Sequence, residues 1–445
     1  MARRAASVAM RWIPLVPIQV RQRHHVRPGS LAARDTRASA PLSHGRTAIA
    51  RSISPSLVLA GIATTIAVSF NTLLPVVPVL MERGGPHGAA GAATAALFVG
   101  AVGGELITPW LMSRWSSARL LVAGQLMTAV PSLVYALPHP DPRLMLVAAA
   151  LRGLGMGVAI VVSVALVGEL TTPERRGRSI GYYGLALSAP GIILPSIAVT
   201  LLEAGRVDVD ALVAFVSGVV GTVLVLKLPR RAQPVVQASY NLLEAFRQPG
   251  LLMLYLGFVL VSCSFGAVIT FAPIALPTAG IGSAAAFLLV AGAARAVSRW
   301  LAGVLGDRRP GRLVLLGSVG VTFIGLVALA TRANPLVIVL AALAFGAGYG
   351  AVQTGVYLAM TVRGSSAHLN TTSALWNSGI DLGASLGGTL LGLGAARYGY
   401  GAAIWAIPVI VLIALPLILA PAEKRAGTEP SPDDRLPEPA GAIGP

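Results

Sequence analysis

Twelve apolar stretches alternate with short polar loops along the chain, at 54–80, 89–112, 118–137, 144–168, 179–202, 211–228, 251–276, 282–305, 313–331, 335–361, 370–394 and 401–421. A helix needs ~20 apolar residues to cross the hydrocarbon layer, so each stretch predicts one transmembrane helix. The second six stretches repeat features of the first six. Arg152-Gly153-Leu154-Gly155-Met156-Gly157 recurs 193 positions later as Phe345-Gly346-Ala347-Gly348-Tyr349-Gly350. The segment ending Trp110-Leu111-Met112-Ser113-Arg114 recurs 194 positions later as Val304-Leu305-Gly306-Asp307-Arg308. The pattern predicts an all-α membrane protein with 12 transmembrane helices in two pseudo-symmetric six-helix bundles. Repeated halves inside a membrane are the usual build of a secondary transporter, with a site at their interface that opens to alternate sides.

The expected organisation is a basic, disordered tail over 1–52, a first bundle over 53–228, a linker over 229–250, a second bundle over 251–421 and a disordered tail over 422–445. In the first tail Arg11, Pro14 and Pro17 break the apolar patch, which makes it a poor signal-peptide core, and the Arg-rich, acid-poor composition only superficially resembles a transit peptide. An over-called start codon is the alternative origin for it. In the linker, Leu242, Leu243 and Phe246 give a short apolar face that predicts an interfacial helix.

Composition agrees with a lipid solvent. Hydrophobic residues make up 55% of the chain and charged residues 11%, with a mean hydropathy of +0.75. A soluble domain carries about a quarter of its residues charged. The net charge of +17 raises the question of nucleic acid, but its placement answers otherwise. With the amino terminus inside, 13 basic residues fall in inner loops and five in outer loops. That bias predicts a multi-pass protein of the cell membrane (plasma or bacterial inner) with both termini cytoplasmic. The partners expected are the bilayer, protons and a small-molecule substrate, with no nucleic acid, and a monomer suffices. Cys263 is the single cysteine, so no intrachain disulfide forms. No His-Glu-x-x-His pair or Gly-x-Ser-x-Gly elbow is present, and neither an enzyme, a metal nor a cofactor is implied.

Across residues 54–421 the chain resembles the major facilitator superfamily. The second copy of that family's loop signature reads Gly303-Val304-Leu305-Gly306-Asp307-Arg308-Arg309-Pro310-Gly311-Arg312, with one residue inserted. The first copy is eroded, with Ser113 where the family carries an aspartate and Arg114 following. The resemblance implies that Gly303, Asp307, Arg308, Arg312 and Arg114 belong to a gating loop that latches the halves on the cytoplasmic side. It also implies that Arg152, which heads a run of glycines on the fourth helix, takes part in proton coupling. A Gly- and Pro-rich motif on the fifth helix marks exporters of the family. Here Ala189-Pro190-Gly191-Ile192-Ile193-Leu194-Pro195 keeps its prolines without the Gly-Pro pair.

Charges in hydrocarbon are costly and mark functional candidates. Asp381 stands out, because Ser373, Asn377, Asp381 and Ser385 recur every fourth residue and share one helix face. Gly379, Gly383 and Gly387 lie on the opposite side and suit close packing. Asp381 is expected to exchange protons, and the alternative is an interhelical salt bridge to an arginine. Glu105 and Arg299 occupy equivalent places in the two repeats. The family's fold sets helix two beside helix eleven, which would bring Glu105 near Asp381. Arg295 and Arg299 lie four apart on one face, with snorkelling toward the surface as the alternative for Arg299. Glu169 reads either as functional or as part of an interfacial ion pair. The cavity is expected to include Asn377, Arg295, Arg299, Asn71, Gln353, Tyr357 and Trp376, with packing as the alternative for the uncharged ones. The resulting expectation is proton-coupled export of a small organic molecule by alternating access. The alternative is proton-coupled uptake of an anionic solute, to which a surplus of buried arginines is suited.

Overall fold

The computed structural model describes residues 54–171, 173–228, 247–278, 280, 283–306, 311–363 and 369–419. The first half of the chain forms α1 (Pro55–Leu73), α2 (Val76–Gly84), α3 (Ala89–Met112), α4 (Ser117–Ala129), α5 (Pro142–Leu170), α6 (Pro173–Ser188), α7 (Pro190–Glu203) and α8 (Val207–Val225). The second forms α9 (Pro249–Thr278), α10 (Ala284–Gly306), α11 (Gly311–Thr331), α12 (Pro335–Arg363), α13 (Leu369–Ala403) and α14 (Ala406–Ile418). Local chemistry sets several ends. Ser54 caps α1, accepting a bond from the Leu57 N–H, and Pro55 supplies a preset first turn. Asp141 does the same for α5 through the Arg143 N–H at 2.7 Å. Pro75 separates α1 from α2, and Pro131 turns the end of α4 into a 3-10 segment over Val130–Ala136.

Among the described residues, ten helices or helix pairs are long and apolar enough to span a membrane, and α13 with α14 passes the same test as a pair bent by 97°. The predicted twelfth span is therefore not a separate straight helix among the described residues. α14 has 13 residues, ~20 Å of helix, whereas the hydrocarbon layer is ~30 Å thick. The break follows Gly399, whose φ of +77 is the left-handed conformation that glycine adopts at no steric cost. Residues 229–246, both tails beyond 54 and 419, and the loop holding Asp307 and Arg308 lie outside the described residues.

The internal repeat is a repeat of contacts as well as of letters. Gly153 and Gly157 of α5 sit so close to the Leu97 and Ala101 carbonyls of α3 that a Cβ would strike them. Gly346 and Gly350 of α12 meet the Ala291 and Arg295 carbonyls of α10 in the same way. Gly155 against Thr128 of α4 is matched by Gly348 against Thr322 of α11. Each partner is displaced by 193 residues on one helix and 194 on the other. The glycines of both motifs thus let two backbones touch, which is how helices associate when lipid removes the usual hydrophobic drive.

Helices of each half pack mainly within that half. The seam between halves runs along α3 with α13 and along α7 with α10, with α2 and α3 also touching α9. The first of these pairings, α3 with α13, is the one that the family resemblance implied. On α13 the expected smooth face packs on α9, with Gly379 near Phe258, Gly383 near Val259 and Ser262, and Gly387 near Cys263.

A carboxylate pair and an aromatic-backed arginine pair at the seam

α3 and α13 bring one carboxylate from each half to the seam. Glu105 and Asp381 are half-buried, and each lies in the electrostatic field of the other. The Tyr255 hydroxyl of α9 lies in the field of both. Among the described residues the acid–base contacts within 4.0 Å are His87 with Glu82 and Arg206 with Asp208. Asp381 therefore forms no salt bridge to Arg152, Arg295 or Arg299 there.

The second part of the seam is cationic and aromatic. Arg295 and Arg299 on α10 are both half-buried, and neither guanidinium makes a hydrogen bond or ion pair among the described residues. Each instead lies over a ring, Arg295 at 5.2 Å from Phe265 and Arg299 at 5.5 Å from Trp376. This is cation–π support, which eases burial without cancelling the charge. The rings continue as a wall: Tyr349 stacks between Phe265 at 5.5 Å and Phe345 at 5.9 Å. Trp376 stacks on Phe258 at 6.3 Å and meets Tyr357 edge-on at 5.8 Å. A cavity of about 40 Å³ lies between the halves, lined by Asn71 and Gly191 from the first and by Arg295, Phe265, Phe345 and Tyr349 from the second. A Cβ on Gly191 would stand 3.1 Å from Asn71 Oδ1 and 3.4 Å from Arg295 Nη2, so the absent side chain keeps this space.

The remaining expected residues fall into distinct surroundings. Gln353 is buried and its Oε1 has no hydrogen-bond partner among the described residues, while its carbonyl accepts the Trp376 indole N–H at 2.8 Å. The Tyr357 hydroxyl lies 3.4 Å from Ser373 Oγ. Asn377 donates to the Ser373 carbonyl at 3.1 Å and Asn71 to the Ala67 carbonyl at 2.8 Å, so each gives one of its two amide N–H groups to its own helix. Arg114 is exposed and covers the Trp110 ring at 4.1 Å, Arg312 is exposed, and Gly303 has open space around it. Asp307 and Arg308 lie outside the described residues, so no latch through them is described.

Arg152 stands apart from both pairs. It is 3% exposed, donates to the Ser69 carbonyl at 2.6 Å and the Thr128 carbonyl at 3.3 Å, and lies 5.8 Å from the Tyr135 ring. Thr128 precedes the 3-10 segment, where Pro131 disturbs the helical ladder and leaves carbonyls short of donors. The guanidinium thus ties the broken ends of α1 and α4 to α5. Arg152→Ala is expected to lose about 2–3 kcal/mol of stability, since charged donors make the stronger hydrogen bonds. A lowered unfolding midpoint of the purified protein in detergent checks this; an unchanged midpoint contradicts it.

At the end of the seam where α3 begins, the halves are sealed. Gly88, just before α3, and Gly91 within it pack directly on the Gly392 and Gly388 carbonyls of α13. Thr94 Oγ1 lies 2.7 Å from Thr270 Oγ1 across the seam. Glu82 accepts from the backbone N–H of Gly88 at 3.0 Å and of Ala90 at 3.2 Å, and its carboxylate lies beside the Tyr400 hydroxyl of the other half. The Tyr400 ring packs edge-on to His87 at 5.0 Å. Nothing in sequence spacing joins Glu82 to Tyr400. Tyr255 and Phe265 were equally hidden, because α9 is apolar on all sides and shows no preferred face.

Comparison with known proteins agrees with this architecture. No curated protein sequence matches the chain. Solved structures with the same fold include a bacterial homolog to the human lysosomal transporter Spinster, in an inward-facing and unoccupied conformation. It is 15% identical over 82% of this chain and 95% of that one, with a TM-score of 0.65. The nucleoside transporter NupG is 12% identical over 83% and 99%, with a TM-score of 0.66. A D-xylose–proton symporter is 14% identical over 81% and 96%, with a TM-score of 0.64. Residues 58–372 match the Major Facilitator Superfamily. The repeated halves, the apolar spanning helices and this match agree: the chain is a multi-pass membrane transporter, not an enzyme, and belongs to the Major Facilitator Superfamily.

Proposed function

We propose that the protein exports a small organic molecule in exchange for protons, with Glu105 and Asp381 carrying the proton between the two sides. The observation that carries this reading is the carboxylate pair itself: one acid from each half, without a cationic partner, at the seam that must open and close. Like charges drawn together out of water repel, and a single bound proton removes the repulsion. Proton occupancy is therefore coupled to how closely α3 and α13 approach. A ligand shifts such an equilibrium only by binding one state better than the other, and the proton does so here. That one neighbour in fold is a proton symporter is compatible with this coupling.

In the same reading the chain has twelve spans in two six-helix bundles, with α14 in the last. It lies in the cell membrane with both termini cytoplasmic, as its loop arginines suggest. The sealed end at Gly88 and Gly392 then faces outward, so the arrangement described is inward-facing. Two halves in one chain complete the alternating-access unit, and a monomer works alone.

The test is growth of an efflux-deficient bacterial host expressing the protein, challenged with a panel of toxic organic compounds. The expected result is survival at concentrations several-fold above the empty-vector limit for some of the panel. Equal sensitivity of both strains across the panel, with the protein present in the membrane, overturns export.

A further inference from the structure

We infer that the ligand of the seam is an organic monoanion with a flat apolar body, an aromatic carboxylate in the simplest case, held by Arg295 and Arg299. This deepens the transport reading and rests on it for the location of the site. The two guanidiniums lie one helical turn apart on α10 and point to the same side. Neither meets a carboxylate within 4.0 Å among the described residues, and the residues around the Asn71–Arg295 cavity include no acid. A half-buried, unpaired cation is costly to maintain, and two on one face are costlier still. A planar guanidinium with free N–H groups offers a carboxylate two parallel bonds.

The rest of the lining describes the ligand's other end. Phe265, Tyr349, Phe345 and Trp376 present ring faces beside the two arginines. Offset stacking on such faces suits an aromatic body. A phosphate dianion would want donors around all of its oxygens. Among the described residues the polar side chains beside Arg295 are the Tyr349 hydroxyl, which lies 3.4 Å from Ser262 Oγ, and Asn71, which has one of its two N–H groups bound to Ala67 and turns its oxygen to the space beside Gly191 that Arg295 Nη2 also borders. The Glu105–Asp381 pair lies in the same seam but leaves the arginines unpaired, so it does not take the anion's place. The cavity of about 40 Å³ accommodates water alone, so the halves part to admit the ligand and close around it.

Three isosteres that differ in charge separate the possibilities: benzoate, neutral benzamide and cationic benzamidine, with inorganic phosphate as a fourth probe. Equilibrium dialysis of radiolabelled benzoate against the purified full chain in detergent is expected to show saturable binding. Excess unlabelled benzoate or 2-naphthoate should displace it, and benzamide, benzamidine and phosphate should not. Arg295→Gln and Arg299→Gln should each weaken binding at least tenfold, with Arg295→Lys and Arg299→Lys in between. If a glutamine variant fails to fold, the ranking of probes on wild-type protein still decides. Stronger displacement by benzamidine or phosphate than by 2-naphthoate, or no saturable binding of either aromatic acid, overturns the inference. Protection of cells without anion binding sinks this inference alone, and binding without protection sinks export alone.

Discussion

Replacing Asp381 with asparagine is expected to abolish proton-driven export while leaving the protein folded and in the membrane. The amide matches the carboxyl in size, so packing on α13 is unchanged, but it cannot take up or release a proton. Glu105→Gln should behave differently, because Asp381, which also lies in the field of Tyr349 in the cavity wall, is left to bind the proton. One titratable group remains at the seam, yet the repulsion that links protonation to closure is gone. Its transport should continue at a reduced rate, with a shallower dependence on pH. The measurement is survival of the efflux-deficient host against a compound from which wild-type protein protects, with expression held equal. Loss of at least tenfold in tolerated concentration is expected for Asp381→Asn and a smaller loss for Glu105→Gln. Full protection by Asp381→Asn removes that residue from the coupling step, and equal loss in both variants removes the distinction drawn between them.

A side chain at Gly91 should force the sealed end apart. A Cβ there runs into the Gly388 carbonyl, which is helix backbone and cannot turn aside as a flexible side chain would. Overpacking of this kind costs about 1–3 kcal/mol. The same energy applied to an open–closed equilibrium changes it roughly 5- to 150-fold. Gly91→Val should therefore populate the state open at this end and slow the cycle. The readout is a cysteine at Thr94, which is 1% exposed and faces Thr270 across the seam, in a Cys263→Ser background. Its reaction with a membrane-impermeant maleimide added outside should quicken by that factor. An unchanged rate would mean that α13 yields without opening. Faster labelling from the inside would place the sealed end on the other face of the membrane.

Much of this architecture is visible in the chain because lipid imposes simple rules. Long apolar runs become spanning helices, and the repeated glycine motif marks contacts that recur in three dimensions at the same offsets. The isolated charges Asp381, Glu105, Arg295 and Arg299 attract notice for the same reason, since hydrocarbon makes each of them expensive. What each one touches was less legible. The partners of Arg152 are backbone carbonyls, and a carbonyl has no letter of its own in a sequence. The aromatic wall draws on α9, where uniform apolarity hides the face turned to the seam. The 97° bend before α14 depends on the conformation of Gly399, one glycine among many. Helix periodicity tells which residues share a side; it does not tell what stands opposite.

The unpaired arginines on α10 have a consequence for what powers the cycle. A carrier that brings one proton in and sends one organic anion out moves two positive charges inward per turnover. Each charge crossing a membrane is worth about 2.3 kcal/mol per 100 mV. A voltage of that size, negative inside, would then supply roughly 4.6 kcal/mol with no pH difference at all. That is enough to hold the anion more than a thousandfold more concentrated outside than in. Such a transporter is an electrical device first and a pH-driven one second, and its turnover should register as a current across a planar bilayer even at symmetrical pH.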